Sequence, residues 1–293
     1  MKRLKLYFAT VLMLLVILIP ANVPAAVTST NTSTATSTGT PAVDTKASAA
    51  KPAVVKKGRW AKKKKDYYYY QPDGKRAKNG IVKIGTRKYC FDKKGRQLTG
   101  WRKVGKYTYF FKQASGSKGY MVTNKKIDGI KLKKNGRAKP ASERAREKLP
   151  LLVSARKLAD KIVGRGPKSM KNLEECYYYL RDHYSIFWTP VKNMSSSMWD
   201  IEYARETISR GCGDCYGFAT TFAYLAHAIG YKDTTIVANG HCWVRIEGHY
   251  YDPFWTKEYG TYAFNIPPEQ CNKNNMFHTD WARDGAYFKY CKK

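Results

Sequence analysis

Apolar and polar positions change texture five times along the chain. Lys2, Arg3 and Lys5 lead into an apolar run from Leu6 to Ile19, followed by Val23-Pro24-Ala25. From Val27 to Val55 the chain is mostly Thr, Ser, Ala, Pro and Lys with no aromatic residue, which predicts a disordered tether. Beyond Gly58, aromatic runs recur about every twenty residues at Tyr68-Tyr69-Tyr70, Tyr89-Cys90-Phe91 and Tyr109-Phe110-Phe111. Asp73-Gly74 and Lys94-Gly95 supply turns, and Gly80-Ile81 and Gly100-Trp101 stand at equivalent places, so this region predicts β-hairpins in series. After Pro140 the period becomes helical: Leu151, Leu152, Val153, Leu158, Ile162 and Val163 predict one helix, and Leu173, Cys176, Tyr177 and Leu180 place a second over about 171–184. Phe218, Phe222, Leu225 and Ile229 give a third helix one apolar face, with Gly230 set to end it. Strand alternation follows over 233–238 and 241–246, and Glu247-Gly248 turns the chain into a third strand through His249, Tyr250, Tyr251, Asp252 and Pro253.

The first stretch has the charged start, apolar core and small-residue site of a secretory signal. Its apolar run is shorter than the about 20 residues a bilayer span needs, so cleavage and export are expected, with no stable transmembrane anchor afterwards. The expected organisation is a signal peptide over 1–26, a linker over 27–57, basic hairpin repeats over 58–138 and a catalytic domain over 141–293.

Charge separates the last two regions. Of the net +32, residues 51–140 carry 29 Lys+Arg against 4 Asp+Glu, whereas residues 141–293 carry 21 against 17. Such a field concentrates polyanions. Export makes an anionic wall polymer the expected partner and nucleic acid an unexpected one; a merely solubilising surface is the plain alternative.

Gly100-Trp101-Arg102-Lys103-Val104-Gly105-Lys106-Tyr107-Thr108-Tyr109-Phe110 resembles the cell-wall-binding repeats of Gram-positive surface proteins, the group that includes choline-binding and glucan-binding modules. The position of Trp101 is held by Ile81 and Ile130 in the neighbouring units, which argues against a choline cage of stacked aromatics. Trp101, Tyr89 and Tyr109 are expected in the repeat core.

The chemistry gathers on three residues. Cys215 opens the third helix, where unpaired backbone N–H groups and the helix dipole favour a thiolate. His241 and Asp252 lie on strands of one predicted hairpin, in a register that brings them together. Such a set lets an imidazole take and return a thiol proton while a carboxylate fixes its tautomer.

The motifs Gly213-Asp214-Cys215-Tyr216-Gly217-Phe218-Ala219, His241-Cys242-Trp243 and Tyr251-Asp252-Pro253, in that order, resemble the transglutaminase-like superfamily over about residues 170–256. The resemblance implies an α+β fold with a papain-like, transglutaminase-like core: a helix bearing the cysteine packed on an antiparallel sheet, behind an all-β hairpin module. It implies catalysis by Cys215, His241 and Asp252 on a peptide or protein amide, through a thioester resolved by water or by an amine, with no cofactor. Hydrolysis by a peptidase or amidase is the expected outcome; a crosslinking transglutaminase or a non-catalytic wall-binding scaffold are the alternatives. The Cys215 backbone N–H is the readable oxyanion donor, and Tyr184 and Trp188 are either contributors or core residues.

Other readings remain. His249 is a second base candidate. Cys212 and Cys215 make a C-x-x-C that, with His241 and Cys242, suggests zinc or redox chemistry, although neighbouring strand residues face opposite ways. Setting one of the seven cysteines aside as the nucleophile leaves six, enough for three disulfides or for buried free thiols. Cys271 with Cys291 is one pairing among these.

Overall fold

A computed structural model describes residues 57–188, 192–193, 195–273 and 287–290, with backbone alone for residues 239, 271–273 and 287–290. The signal-type run, the tether and Cys291 lie outside the described residues, as does the side chain of Cys271. No helix among the described residues is long and apolar enough to cross a membrane.

The aromatic periods are hairpins. Strands β1 (Arg59–Lys63) and β2 (Asp66–Tyr70) pair antiparallel, with Trp60 opposite Tyr69. Next come β3 (Gly80–Ile84), β4 (Arg87–Phe91) and β5 (Gln97–Leu98), then β6 (Gly100–Val104) and β7 (Tyr107–Phe111), and finally β8 (Lys126–Ile127), β9 (Ile130–Leu132) and β10 (Ala138–Lys139). Each aromatic run is the second strand of a hairpin, and Trp60 of β1 links the first hairpin to the second. Trp60 lies edge-on to Tyr69 at 5.3 Å and to Tyr89 at 4.9 Å. Tyr89, Trp101 and Tyr109 are all buried, as a repeat core requires.

Helix α1 (Glu143–Ile162) starts on Ser142, whose hydroxyl accepts the Ala145 N–H at 3.2 Å, and α2 (Met170–His183) starts likewise on Ser169. Strand β11 (Ser185–Ile186) then precedes α3 (Trp199–Arg210), a helix the sequence pattern does not announce. Buried Asp200 and Thr207 interrupt its apolar stripe, because Asp200 accepts a bidentate pair from Arg144 and the Tyr224 hydroxyl. Strand β12 (Cys212–Gly213), parallel to β11, leads into α4 (Cys215–Ile229).

The rest is β13 (Thr234–Asn239), β14 (His241–Ile246), β15 (His249–Tyr251), α5 (Pro253–Tyr259), α6 (Pro268–Lys273) and β16 (Tyr287–Tyr290), the last in an antiparallel sheet of order β15-β14-β13-β16. Helix α4 is buried at every position but Tyr216, rather than on one face as its period suggests. It runs between the sheet on one side and α1, α2 and α3 on the others, so no face meets water. The fold is α+β, with the cysteine-bearing helix on an antiparallel sheet.

The described residues form one compact unit. Trp101, Phe110, Val122, Ile130 and Leu132 of the hairpins share a core with Leu151, Leu152, Ala155 and Ala159 of α1. Polar groups seal the same boundary: Asp160 of α1 accepts from Arg102 of β6 and from Arg156, and Gln113 donates to the Ala228 carbonyl at 2.6 Å.

Candidate active site

Cys215 is the first residue of α4 and is 4% exposed. Asp214 precedes it as N-cap, its carboxylate accepting the Gly217 N–H at 2.9 Å, which fixes the first turn around the sulfur. Gly217 is required there, since a Cβ at that position would lie 2.3 Å from Thr207 Oγ1 of α3. The close α3–α4 crossing therefore rests on a glycine two residues past the cysteine. The Asp-then-apolar-run signature of an N-cap marks Asp214 in the sequence; nothing there marks Thr207.

His241 begins β14 and its side chain is 26% exposed. In the β14–β15 register Val244 faces Tyr251, so the next pair in step sets Asp252 beside Trp243, one diagonal from His241 on the same face. Asp252 Oδ2 lies 2.5 Å from His241 Nε2, while Oδ1 accepts the Trp255 N–H at 2.9 Å. Asp252 is thus the N-cap of α5, and Pro253 occupies the first helical position, where no N–H is needed. The Asp252 backbone is pinned as well, its N–H donating to Ala263 and its carbonyl accepting the Tyr177 hydroxyl.

The imidazole also interacts with Cys215, while Nε2 is taken by Asp252. Burial pulls the His241 pKa down, but the bonds to Asp252 and Cys215 and their negative charges outweigh it and raise it to about 10. Rings of Trp243, Phe254 and Trp255 surround the imidazole at 5.7–5.9 Å and hold its orientation. All three sequence-predicted site residues are brought together.

His249 pairs with Ile246 and so takes the opposite face from His241. Cys242 is wholly buried on that core side, where burial pushes its thiol well above the ordinary value. His241 and Cys242 therefore do not converge, and no group of three or more His, Cys, Asp or Glu suited to a metal occurs among the described residues. Cys90, Cys176, Cys212, Cys215 and Cys242 are free thiols, the first and second buried and raised to about 11 and about 12 by desolvation.

The two further oxyanion candidates part company. Tyr184 is 6% exposed against Phe218, a core residue. Trp188 is 69% exposed, its ring against Phe254. Phe187 donates to the Gly213 carbonyl at 3.0 Å, which carries the β11 strand past the Cys215 turn and sets Trp188 on the rim of the site.

Residues 156–265 match the family model of the transglutaminase-like superfamily, a stretch that includes Cys215, His241 and Asp252. The chain therefore carries a transglutaminase-like domain, of a cysteine-dependent enzyme family. Among solved structures, CbpJ from Streptococcus pneumoniae TIGR4 is 26% identical over 27% of this chain and 26% of its own, with a TM-score of 0.24. Choline binding protein F from the same species is 31% identical over 28% of this chain and 31% of its own, with a TM-score of 0.24. The multimodular pneumococcal cell wall endolysin from phage Cp-1, complexed with choline, is 25% identical over 29% of this chain and 25% of its own, with a TM-score of 0.26. The chain thus spans less than a third of each of these three proteins. No curated protein sequence matches.

Proposed function

We propose that the protein is an exported, wall-associated thiol enzyme that cleaves amide bonds of peptides or of peptidoglycan stems, with Cys215 as nucleophile, His241 as proton carrier and Asp252 as its orienting partner. One observation carries this reading: a single imidazole lies 2.5 Å from a buried carboxylate and interacts with a cysteine at the start of a buried helix.

Cys215 passes its thiol proton to His241 and its Sγ attacks the amide carbonyl carbon, and the charge that develops on oxygen falls beside the Cys215 backbone N–H and the positive end of α4. His241 delivers the proton to the departing nitrogen, the C–N bond breaks and a thioester remains. Water, deprotonated by His241, adds to the thioester, releasing a carboxylate and the free thiol. Asp252 holds its proton-sharing contact throughout and keeps the ring in one tautomer. No step calls for a metal or an organic cofactor. The signal-type N-terminus supports export, and the basic hairpins support retention on an anionic wall polymer.

Incubating the full chain and Cys215→Ala with wall fragments and with a glutamine-containing protein, followed by mass analysis of the products, tests the reaction. Hydrolysed peptide amides seen only with the native chain support the proposal; incorporation of an added amine replaces it with a crosslinking transferase, and identical products from both chains refute it.

A further inference from the structure

The charge of the hairpin region is concentrated in one place. A groove of about 970 Å³ opens between the first two units, lined by six cations, Lys75, Arg76, Lys78, Lys93, Lys94 and Arg96, and by no acidic side chain. Lys75, Lys78, Lys93 and Lys94 are exposed, and of these Lys75 pairs with Asp73 at 3.6 Å. A second groove of about 610 Å³ shares Tyr70 and Gln71 with the first and adds Lys57, Arg59 and one carboxylate, Asp73. The two adjoin across one tyrosine, which makes a track longer than a single ion would use.

The tyrosines of the track are already occupied. The Arg76 guanidinium lies over the Tyr68 ring at 4.6 Å and over Tyr70 at 5.5 Å, and Arg59 lies over Tyr70 at 5.0 Å. Arg76 is fixed there by hydrogen bonds to the Lys94 carbonyl at 3.1 Å and the Tyr70 hydroxyl at 3.3 Å. A quaternary ammonium needs an open aromatic face and meets here a cation already seated on it. A nucleobase needs the same face for stacking. What the track offers outward is ammonium groups and guanidinium edges, donors that suit oxygens presented in several directions, as on a phosphate.

We propose that this track binds a linear polymer of phosphate diesters joining small alcohols, and not choline or nucleic acid. The inference rests on the wall-retention part of the function proposed above and names its ligand and site; it is independent of the chemistry at Cys215.

The test measures binding of the full-length protein to a fluorescent synthetic poly(glycerol phosphate), with poly(glutamate), a single-stranded oligodeoxynucleotide and choline as competitors. One variant replaces Lys75, Lys78, Lys93 and Lys94 by Ser. A control replaces Lys103, Lys106, Lys131 and Lys134 by Ser, four exposed positions outside the track with the same loss of charge. Circular dichroism confirms that both fold. The track variant is expected to weaken binding by at least about tenfold, the control by less than about threefold, with choline inert, since specific phosphate contacts add to the general field. Equal losses in both variants overturn the track while leaving wall retention by diffuse charge intact. Tighter binding of the oligonucleotide or of poly(glutamate) overturns the ligand class. Absence of binding to every polyanion defeats the track and the retention reading together.

Discussion

Asp252 joins two elements at once: Oδ2 lies 2.5 Å from Nε2 of His241, and Oδ1 accepts the Trp255 N–H at 2.9 Å as the cap of α5. The carboxylate that orients the imidazole is thereby immobilised by a helix, with its backbone held by Ala263 and Tyr177. Asp252→Asn keeps a capping oxygen and loses the charge, so its main effect is expected on the histidine. In a nuclear magnetic resonance titration the His241 imidazole should titrate near 10 in the native chain and clearly lower in Asp252→Asn, because that carboxylate is a principal cause of the rise. An unchanged titration would show that the pair does not form. Asp252→Ala also removes the cap and should cost about 1 kcal/mol more in a denaturant melt.

The same rise has a sign for stability. A histidine raised on folding contributes stability fully below its unfolded pKa of about 6.5, and that contribution is lost as pH climbs through the folded value of about 10. The difference in unfolding free energy between the native chain and His241→Gln should therefore shrink steadily across that window. A difference that grows with pH contradicts the pairing.

Selective alkylation separates Cys215 from the thiols of Cys90, Cys176 and Cys242. Brief treatment with iodoacetamide near pH 7, read by peptide mass mapping, should label Cys215 ahead of Cys90, Cys176 and Cys242, whose burial keeps them protonated and covered. His241→Ala should abolish that preference. A disulfide found between Cys212 and Cys215 in the purified protein would remove the nucleophile from the proposal.

The α3–α4 crossing predicts a paired effect. Gly217→Ala forces a methyl onto Thr207 Oγ1 and should destabilise by about 1–3 kcal/mol, the range for overpacking a tight core. Adding Thr207→Ala leaves Cβ at 3.4 Å as the nearest remaining atom of that side chain and should recover part of the loss, measurable in a double-mutant cycle of urea midpoints.

Asp160 is the acceptor for both Arg102 and Arg156 at the seam between the hairpins and α1. Asp160→Ala leaves two buried guanidinium groups without it and should cost about 3–5 kcal/mol. Because the hairpins and α1 share one core, unfolding followed by tyrosine fluorescence and by far-ultraviolet dichroism should remain a single coincident transition in the native chain; two separated transitions would refute the shared core.

The sequence by itself determined the local elements: aromatic periods of twenty became hairpins, and the periods around Leu173 and Phe218 became α2 and α4, because these depend on spacing alone. It also pointed to the closeness of Cys215, His241 and Asp252, since one residue opens a strongly apolar helix, one begins β14 and one follows directly on β15, its antiparallel partner. Tertiary structure decided the rest. Helix α3 hides behind buried Asp200 and Thr207, polar residues that look solvent-facing until Arg144, Tyr224, Gly213 and Gly217 are packed against them. Trp188 reads as core and stands in solvent, because β11 pairs with β12 from 27 positions along the chain and carries it to the rim. The capping role of Asp252 and the seating of Arg76 on Tyr68 and Tyr70 likewise follow from contacts between separate elements, which no period along a single strand or helix records.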